Sequence, residues 1–464
     1  MGSNNLMRNK RLLQSAIWLW LAALPLPALG QSIVKQGTPV RHGNASWTET
    51  YEWTAPAREG GKLILRADMG SVEITPGSGN QLEGRLVLRV YTGSEEQARR
   101  VFDAYHLSAR SIEGGGVYVS GELSGWRHHD HSAGAEFDIK LPARFNLDVE
   151  TQGGDIGVEG ALQGEARLTT AGGDIHTTDI SGPVRVETAG GGISLGNLGA
   201  RAEARTAGGS IHVGTVRGDA MIETSGGEIQ VGQVDGTLRA ETAGGDVVIA
   251  GAAGEVVAQT AGGQIQVGPT GGSVRAETAG GSIRLQGVRG RVVAETAGGS
   301  IDLLQLEAGV RASTSAGRIL AQFNAAAKTF AASQLETSMG DVYVYLPVGL
   351  PLTIDAAIDA AAGHHIVTDF PLSILGDKED FGERTIRGHG TLNGGGEVLR
   401  IRSVAGNIEI RKLDSRSLQD LKSREETSWN RWQERQAEKN QKQREREQER
   451  RERQREKEED RDQD

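Results

Sequence analysis

A four-residue corner, Thr-x-Gly-Gly, returns through the middle of this chain with a period of 18 residues. Thr170, Thr188, Thr206, Thr224, Thr242, Thr260, Thr278, Thr296 and Thr314 stand in unbroken steps of 18, and Thr151 lies 19 residues ahead of the first. A fixed period of this length marks an array of stacked supersecondary units, each too small to bury a core by itself. The array therefore decides the architecture before any other feature is considered.

One unit, residues 278–295, reads TAGGSIRLQGVRGRVVAE. Numbered from its Thr, position 6 is Ile or Val in every unit (Ile175, Ile193, Ile211, Ile229, Val247, Ile265, Ile283, Ile301), and position 8 is mostly Val, Leu or Ile. Positions 15 and 17 are Val, Leu, Ile or Ala and share one parity with the next Thr. Alternation with period two marks two strands per unit, each with one buried face. The Ala-Gly-Gly corner and the Gly near position 13 read as turns, where glycine tolerates backbone angles that other residues avoid. Two geometries fit: a parallel β-solenoid in which units stack as coils, or an extended antiparallel meander. The solenoid is preferred, because it sets like residues in register from coil to coil and fills one continuous core. The expected fold is all-β, with about ten 18-residue coils forming a rod of about 48 Å at ~4.8 Å per coil. Handedness and the number of sides are not readable from the period.

The open ends of such a rod would template edge pairing and need covers. Residues 31–150 supply strand-like runs at 62–66, 71–75, 85–91 and 116–120, with a helix-like stretch at 94–105. Residues 323–412 contain DVYVYLP, LTIDAAI and GEVLRIRS. Both regions are expected to be β-rich caps on the 151–322 array, and each holds an isolated echo of the repeat, at 67–72 and 404–408. Residues 1–30 read as a signal peptide: Arg8, Lys10 and Arg11 precede an apolar stretch, and Ala28-Leu29-Gly30 offers a cleavage site. Residues 413–464 read as a charged tail, helical or disordered. Between 424 and 464 it holds 13 basic and 14 acidic residues. Leu418, Leu421, Trp429 and Trp432 form an apolar stripe near its start.

Composition narrows the chemistry. The 464 residues contain no Cys, which excludes disulfides, thiolate metal sites and thiol nucleophiles. A net charge of −10 argues against a nucleic-acid partner. No segment after the signal is long and apolar enough to span a bilayer as a helix. His128, His129 and His131 are the metal-ligand candidates by residue type. Adjacent histidines between Gly125 and Gly134 are ordinarily a solvated loop, so no metal, cofactor or catalytic residue is assigned. His176 and His212 share position 7 but fall two coils apart, too far to bind one zinc. Acids recur at position 5 (Asp155, Asp174, Glu228, Asp246) and position 18 (Glu187, Glu223, Glu241, Glu277, Glu295). Catalysis needs one special place, so this recurrence reads as a solvated face with Arg185, Arg239 and Arg275 as partners. From Thr151 to Gln322 there is no Phe, Tyr or Trp, which counts against sugar stacking along the rod. The Thr ladder brings ice binding to mind, but its parity turns the threonines inward.

Taken together, G-S-V-E-I at 70–74, Leu141-Pro142 ahead of 146–150, the T-x-G-G-D-I units and G-N-I-E-I at 406–410 resemble the bacterial putative-adhesin family. The resemblance covers roughly residues 60–412 and implies a secreted or envelope β-solenoid of unknown function, with no catalytic residues to carry over. The expectation is a non-enzymatic, adhesin-like protein of the periplasm or cell exterior, partnered by an envelope protein or a surface glycan. The alternatives are a carbohydrate-active enzyme with its site at a junction of rod and flank, or an envelope-stress component that holds a partner through the charged tail. Oligomeric state is not readable.

Overall fold

The computed structural model describes residues 34–43, 46–124, 133–327, 329–361, 363–378, 384–414 and 419. The expected signal peptide, the His128–His131 loop and nearly all of the tail lie outside them.

Each 18-residue unit is one coil. Positions 15 to 1 form a five-residue strand such as Val274–Thr278, and positions 6 to 8 form a shorter one such as Ile265–Val267. Pairing runs from coil to coil and is parallel: Val256 aligns with Val274 and Val274 with Val292, while Ile265 aligns with Ile283. The meander is thereby excluded. Single bridges at position 11, such as Ile180 to Leu198 and Leu198 to Val216, add a third line of coil-to-coil contact. The parity expected from the sequence holds. Every position-6 residue from Ile175 to Ile301 is at most 1% exposed, and the position-1 threonines are buried beside them.

Those threonines join the coils. Thr260 Oγ1 donates to the carbonyl of Gly245 in the preceding coil at 2.9 Å and accepts from the Gly263 N–H at 3.1 Å. Thr188, Thr206, Thr224, Thr242, Thr278 and Thr296 repeat the arrangement. A β-branched residue suits the strand, and its hydroxyl satisfies a carbonyl and an amide that the corner removes from the ladder.

The corner glycines serve a different purpose from the one the sequence suggests. No glycine at position 3 or 4 between Gly153 and Gly317 has a positive φ, unlike Gly160 and Gly287 at position 10. A methyl group on Gly263, the second corner glycine, would lie 2.0 Å from the Gly245 carbonyl oxygen, whereas on Gly262 it would lie 3.5 Å from the nearest atom. Close stacking of coils, not an unusual backbone angle, demands the second glycine. The sequence agrees. Position 3 becomes Ala316, Met339 and Ala405 in later coils, while position 4 stays Gly317, Gly340 and Gly406.

Among the described residues two sheets result, each 18 strands wide. In each, all but three strands are joined by parallel pairs, giving a stack of roughly 70 Å at ~4.8 Å per rung, longer than the array alone. The ends are threaded. In the long-strand sheet, Lys62–Ala67 lies between Gly116–Leu123 and Asn146–Thr151. In the short-strand sheet, Ser71–Gly77 lies between Ala133–Pro142 and Ile156–Val158. At the other end Val398–Ala405 slots between Ser333–Met339 and Leu352–Ile358, and Ile408–Lys412 between Val342–Leu346 and Ile366–Thr368. The N-terminal echo is therefore the rung beside the array and the C-terminal echo lies one rung beyond it, past 333–346, while the outermost rungs come from chain that loops out and returns.

Antiparallel strands close the stack. Tyr105–Ile112 pairs with Gly116–Leu123 in the long-strand sheet. Gln81–Tyr91, Ser46–Pro56 and Val34–His42 extend the short-strand sheet. The hairpin Ser373–Lys378 with Arg384–Leu392 covers the far end. The helix Glu95–Ala104 is capped by Ser94, whose side chain accepts from the Gln97 N–H at 3.4 Å, and it buries Ala98, Val101 and Phe102. The aromatic core is confined to the ends, with Trp47, Tyr51, Trp53, Phe137 and Phe145 at one and Phe323 and Phe370 at the other.

Candidate interaction surface

The long-strand sheet turns positions 16 and 18 outward, and parallel stacking aligns them in columns. Arg185 reaches Glu203 at 3.1 Å, and Arg205 bridges Glu203 at 3.1 Å and Glu223 at 3.2 Å. Arg239 pairs with Glu241 and Arg275 with Glu277 within their own strands. Near the first rung Asp148 takes Lys62 at 2.8 Å and Arg66 at 2.7 Å. Burial works against the Asp148 charge, but hydrogen bonds from Lys62 and Arg66 outweigh it and hold the carboxyl below its ordinary range. Exposed pairs of this kind contribute only about 0–1 kcal/mol each. Their main consequence is a face on which Arg and Glu side chains of both signs are held at multiples of a fixed pitch.

The position-5 acids have a structural task that sequence reasoning missed. Asp155 Oδ1 accepts the Asp174 N–H at 2.7 Å, Asp174 accepts the Gly192 N–H at 2.6 Å, and Asp246 accepts the Gln264 N–H at 2.8 Å. Ser210 and Ser282 do the same through their hydroxyls. Each satisfies an amide that the turn leaves without a ladder partner. This explains why Ser can replace Asp at the position, since both carry an acceptor on a short side chain. Asp219 behaves similarly, accepting the Thr237 N–H and hydroxyl, which hold its carboxyl below the ordinary range.

The short-strand sheet presents position 7. Ser194 pairs with both His176 and His212, so the two histidines are separated by a full rung. Burial alone pushes His212 below its ordinary value. His364 and His365 lie on the loop before Ile366–Thr368, where the His365 N–H donates to Asn407 Oδ1 at 3.2 Å. Among the described residues no three His, Asp or Glu side chains are placed to hold a metal ion.

A groove of about 650 Å³ lies where the N-terminal strands meet the rod, lined by Glu52, Glu73, Glu83, Arg85, Asp138 and Lys140 among others. Glu73 fills the space left by Gly157, and its Oε1 is buried with no partner. Burial, then the neighbouring Glu159 and Asp138 charges, raise its carboxyl above the usual range. Trp53 contributes to the floor, but its ring lies against Gly84 on the core side and is 2% exposed, so it offers no stacking platform. No signal in the sequence marked this groove. It assembles from strands 52–54, 73–75, 83–85 and 138–140, which only the threaded topology brings together.

Residues 131–266 match the Toastrack DUF4097 family. The Toastrack region runs from the outermost N-terminal rung into the middle of the array, and it agrees with the resemblance to adhesins of unknown function read from the repeat. Two solved structures are matched. One, described as a putative cell adhesion protein from Clostridium sporogenes, is 10% identical. It matches over 78% of this chain and 99% of its own, with a TM-score of 0.15. The other, described as a putative adhesin from Bacteroides fragilis, is 14% identical over 58% of this chain and 95% of its own, with a TM-score of 0.24. No curated protein matches. Among the described residues no helix is long and apolar enough to cross a membrane.

Proposed function

We propose that the chain is a non-enzymatic, adhesin-like β-solenoid of the periplasm or cell exterior, whose long-strand face engages an envelope protein or a surface glycan. The observation that carries this reading is the charge-rich face itself. Arg and Glu recur along it, interrupted at Met221, Val257 and Val293, pair with one another from Arg185–Glu203 to Arg275–Glu277, and are held by a backbone ladder that fixes their spacing. Along the rod, Asp155, Asp174 and Asp246 at position 5 accept backbone amides, and Glu223, Glu241 and Glu277 at position 18 pair with arginines. A rigid, repeating surface suits many weak contacts with an extended partner, each adding to the others.

Cell fractionation followed by crosslinking and pull-down tests it. The full chain should be found outside the cytoplasm, crosslinked to an envelope protein or glycan. Replacing Arg205, Arg239 and Arg275 together by Glu should weaken that capture by about tenfold or more, since complementary charge sets such encounters. Capture that ignores the charge reversal would overturn the reading. So would turnover of polyuronates, glucans or peptidoglycan that a single carboxylate substitution between Thr151 and Thr314 abolishes.

A further inference from the structure

Among the described residues the two sheets end in four edge strands, and three of these edges are blunted. In the short-strand sheet, Val34–His42 is broken by a register shift between Gln36 and Val40, at Pro39. It also sets Arg41 and His42 beside the exposed Val40. At the other end of that sheet, Ile366–Thr368 is only three residues long. In the long-strand sheet, Tyr105–Ile112 exposes His106, Ser108, Arg110 and Ser111 and no apolar side chain. A bulge, a proline, charge and shortness are the devices that keep other strands off an edge.

Over residues 373–376 the fourth edge has none of them. Ser373–Lys378 pairs with Arg384–Leu392 on one side only, and Ser373, Ile374, Leu375 and Gly376 are all exposed. Ile374 is 45% and Leu375 72% exposed. The two side chains stand on opposite faces. Ile374 aligns with Gly388, and through it with buried Ala356, so it lies on the core face. Leu375 aligns with Arg387 on the outer face.

This edge is complementary to itself. Antiparallel pairing about a two-fold axis perpendicular to the sheet joins residues of the same face. The register centred on Leu375 then sets Leu375 of one copy against Leu375 of the other, and Ile374 against Gly376. A Cβ on Gly376 would meet nothing within 4 Å, so an isoleucine from a second copy finds open space there. The hairpin already uses the same fit, with Ile374 opposite Gly388 and Gly376 opposite Ile386. A head-to-tail pairing has no such match, because the long-strand sheet ends in the polar Tyr105–Ile112 edge at its other end.

We propose that Ser373–Lys378 is the interface of a two-fold dimer, in which two copies of this chain join their long-strand sheets edge to edge with Leu375 on the axis. Backbone pairing supplies affinity, and Ile374 and Leu375 set the register. Such pairing uses the same edge on both copies and closes after two. Six residues of edge span only ~20 Å, less than a standard interface, so the dimer is reversible. It carries the charged columns of both copies on one continuous sheet, but the inference does not rest on the partner proposed above.

The chain has no Cys, so the register can be tested directly. Opposed Cα atoms of an antiparallel pair lie ~4.5–5.5 Å apart, inside the ~4.4–6.8 Å span of a disulfide. In the full chain, Leu375→Cys should crosslink to its own copy under mild oxidation at least about tenfold faster than Met339→Cys, because the axis holds the two thiols together. Met339 is equally exposed to reagent but lies four strands in from the edge. Sedimentation of the parent should show the mass rising toward twice the monomer value between ~1 μM and ~1 mM. Leu375→Lys places like charges on the axis and should weaken the dimer at least about tenfold, with an unchanged circular dichroism spectrum. A parent chain that stays monomeric at the highest concentration overturns the proposal. So does a dimer that Leu375→Lys leaves intact, which puts the contact elsewhere, or one in which the two cysteine variants crosslink at equal rates.

Discussion

Thr260 and Thr151 make the same hydrogen bond by different routes. Thr260 reaches the carbonyl of Gly245, 15 residues back, whereas Thr151 reaches that of Gly70, 81 residues back. At the far end Ser403 reaches Gly340 across 63 residues. Within the array each coil rests on its sequence neighbour, so the loops to be closed are short and equal. At the ends the same stacking contact must first close a long loop, which costs entropy before the contact forms. The array can thus extend by local steps, while the threaded ends are set by non-local pairing and should form late. One chemistry serves both regions, and only the path between partners differs.

Deletion of whole rungs tests this difference most severely. Removing residues 260–277 joins Gln259 to Thr278 and takes out one period, so every remaining coil keeps its register. The shortened protein should fold with a cooperative melt close to the original. Removing residues 398–412 takes the inserted rung from between Ser333–Met339 and Leu352–Ile358 and should unfold the C-terminal end, visible as lost β signal and rapid proteolysis there. Equal tolerance of the two deletions would show that threading carries no special weight.

The second comparison lies within one corner. Gly263→Ala should cost about 3 kcal/mol or more, because the methyl group would stand 2.0 Å from a backbone carbonyl that cannot move without opening the stack. Gly262→Ala should cost under about 1 kcal/mol, as its nearest contact is 3.5 Å. Urea unfolding of the two variants measures the difference. A large loss at Gly262 would mean that the corner needs glycine for its backbone angles after all.

Period is what made the array readable. An inward residue every second position, a Thr and two glycines at a fixed step leave few geometries, and the coil, its parity and its buried threonines followed from Ile265, Val274 and Thr278 alone. The ends were legible only as strands and echoes. Gly70 and Gly406 carried the motif, yet nothing near them records that Lys62–Ala67 sits inside Gly116–Leu123 and not outside it. Insertion order is a property of pairing across tens of residues, and single-residue pattern does not encode it. The same holds for the groove at Glu73 and Asp138, whose walls are distant in sequence. The capping role of Asp155, Asp174 and Asp246 was hidden for another reason: an acid that accepts a backbone N–H looks, in sequence, like any solvated acid.

A milder probe is the threonine hydroxyl. Thr260→Val keeps the shape but leaves the Gly245 carbonyl and the Gly263 N–H without their partner, and should cost about 1–2 kcal/mol by urea unfolding. Ser403→Ala, which removes one bond of 3.1 Å at the threaded end, should cost about half as much. It should also act mainly on the unfolding rate, because a contact made late is absent from the transition state. A Ser403→Ala chain that folds markedly more slowly would place the C-terminal insertion in the nucleus instead.

The smallest effects should separate two acids by the sign of their pH dependence. Asp219, in the array, is held ionised by the Thr237 N–H and hydroxyl, so its proton leaves more readily in the folded chain than in the unfolded one. The stability it contributes is present above the ordinary carboxylate range and disappears as pH falls through its lowered folded value. Asp219→Asn should therefore lower the melting temperature at pH 7 and converge with the parent in acid. Glu73, at the threaded end, is the reverse case. Burial and the Glu159 and Asp138 charges raise its carboxyl, so the folded chain holds the proton more tightly than the unfolded chain does. Its ionisation costs stability as pH rises from the ordinary carboxylate value through the raised one, and the penalty persists at pH 7. Glu73→Gln removes that penalty and should raise the melting temperature at pH 7, with the gain vanishing below about pH 4, where both side chains are neutral. Melting curves of the two variants between pH 3.5 and 7.5 should diverge from the parent in opposite directions. If Glu73→Gln instead lowers the melting temperature at pH 7, the ionised carboxylate is finding a stabilising partner in the groove, and the contrast between the hydrogen-bonded Asp219 and the unpartnered Glu73 fails.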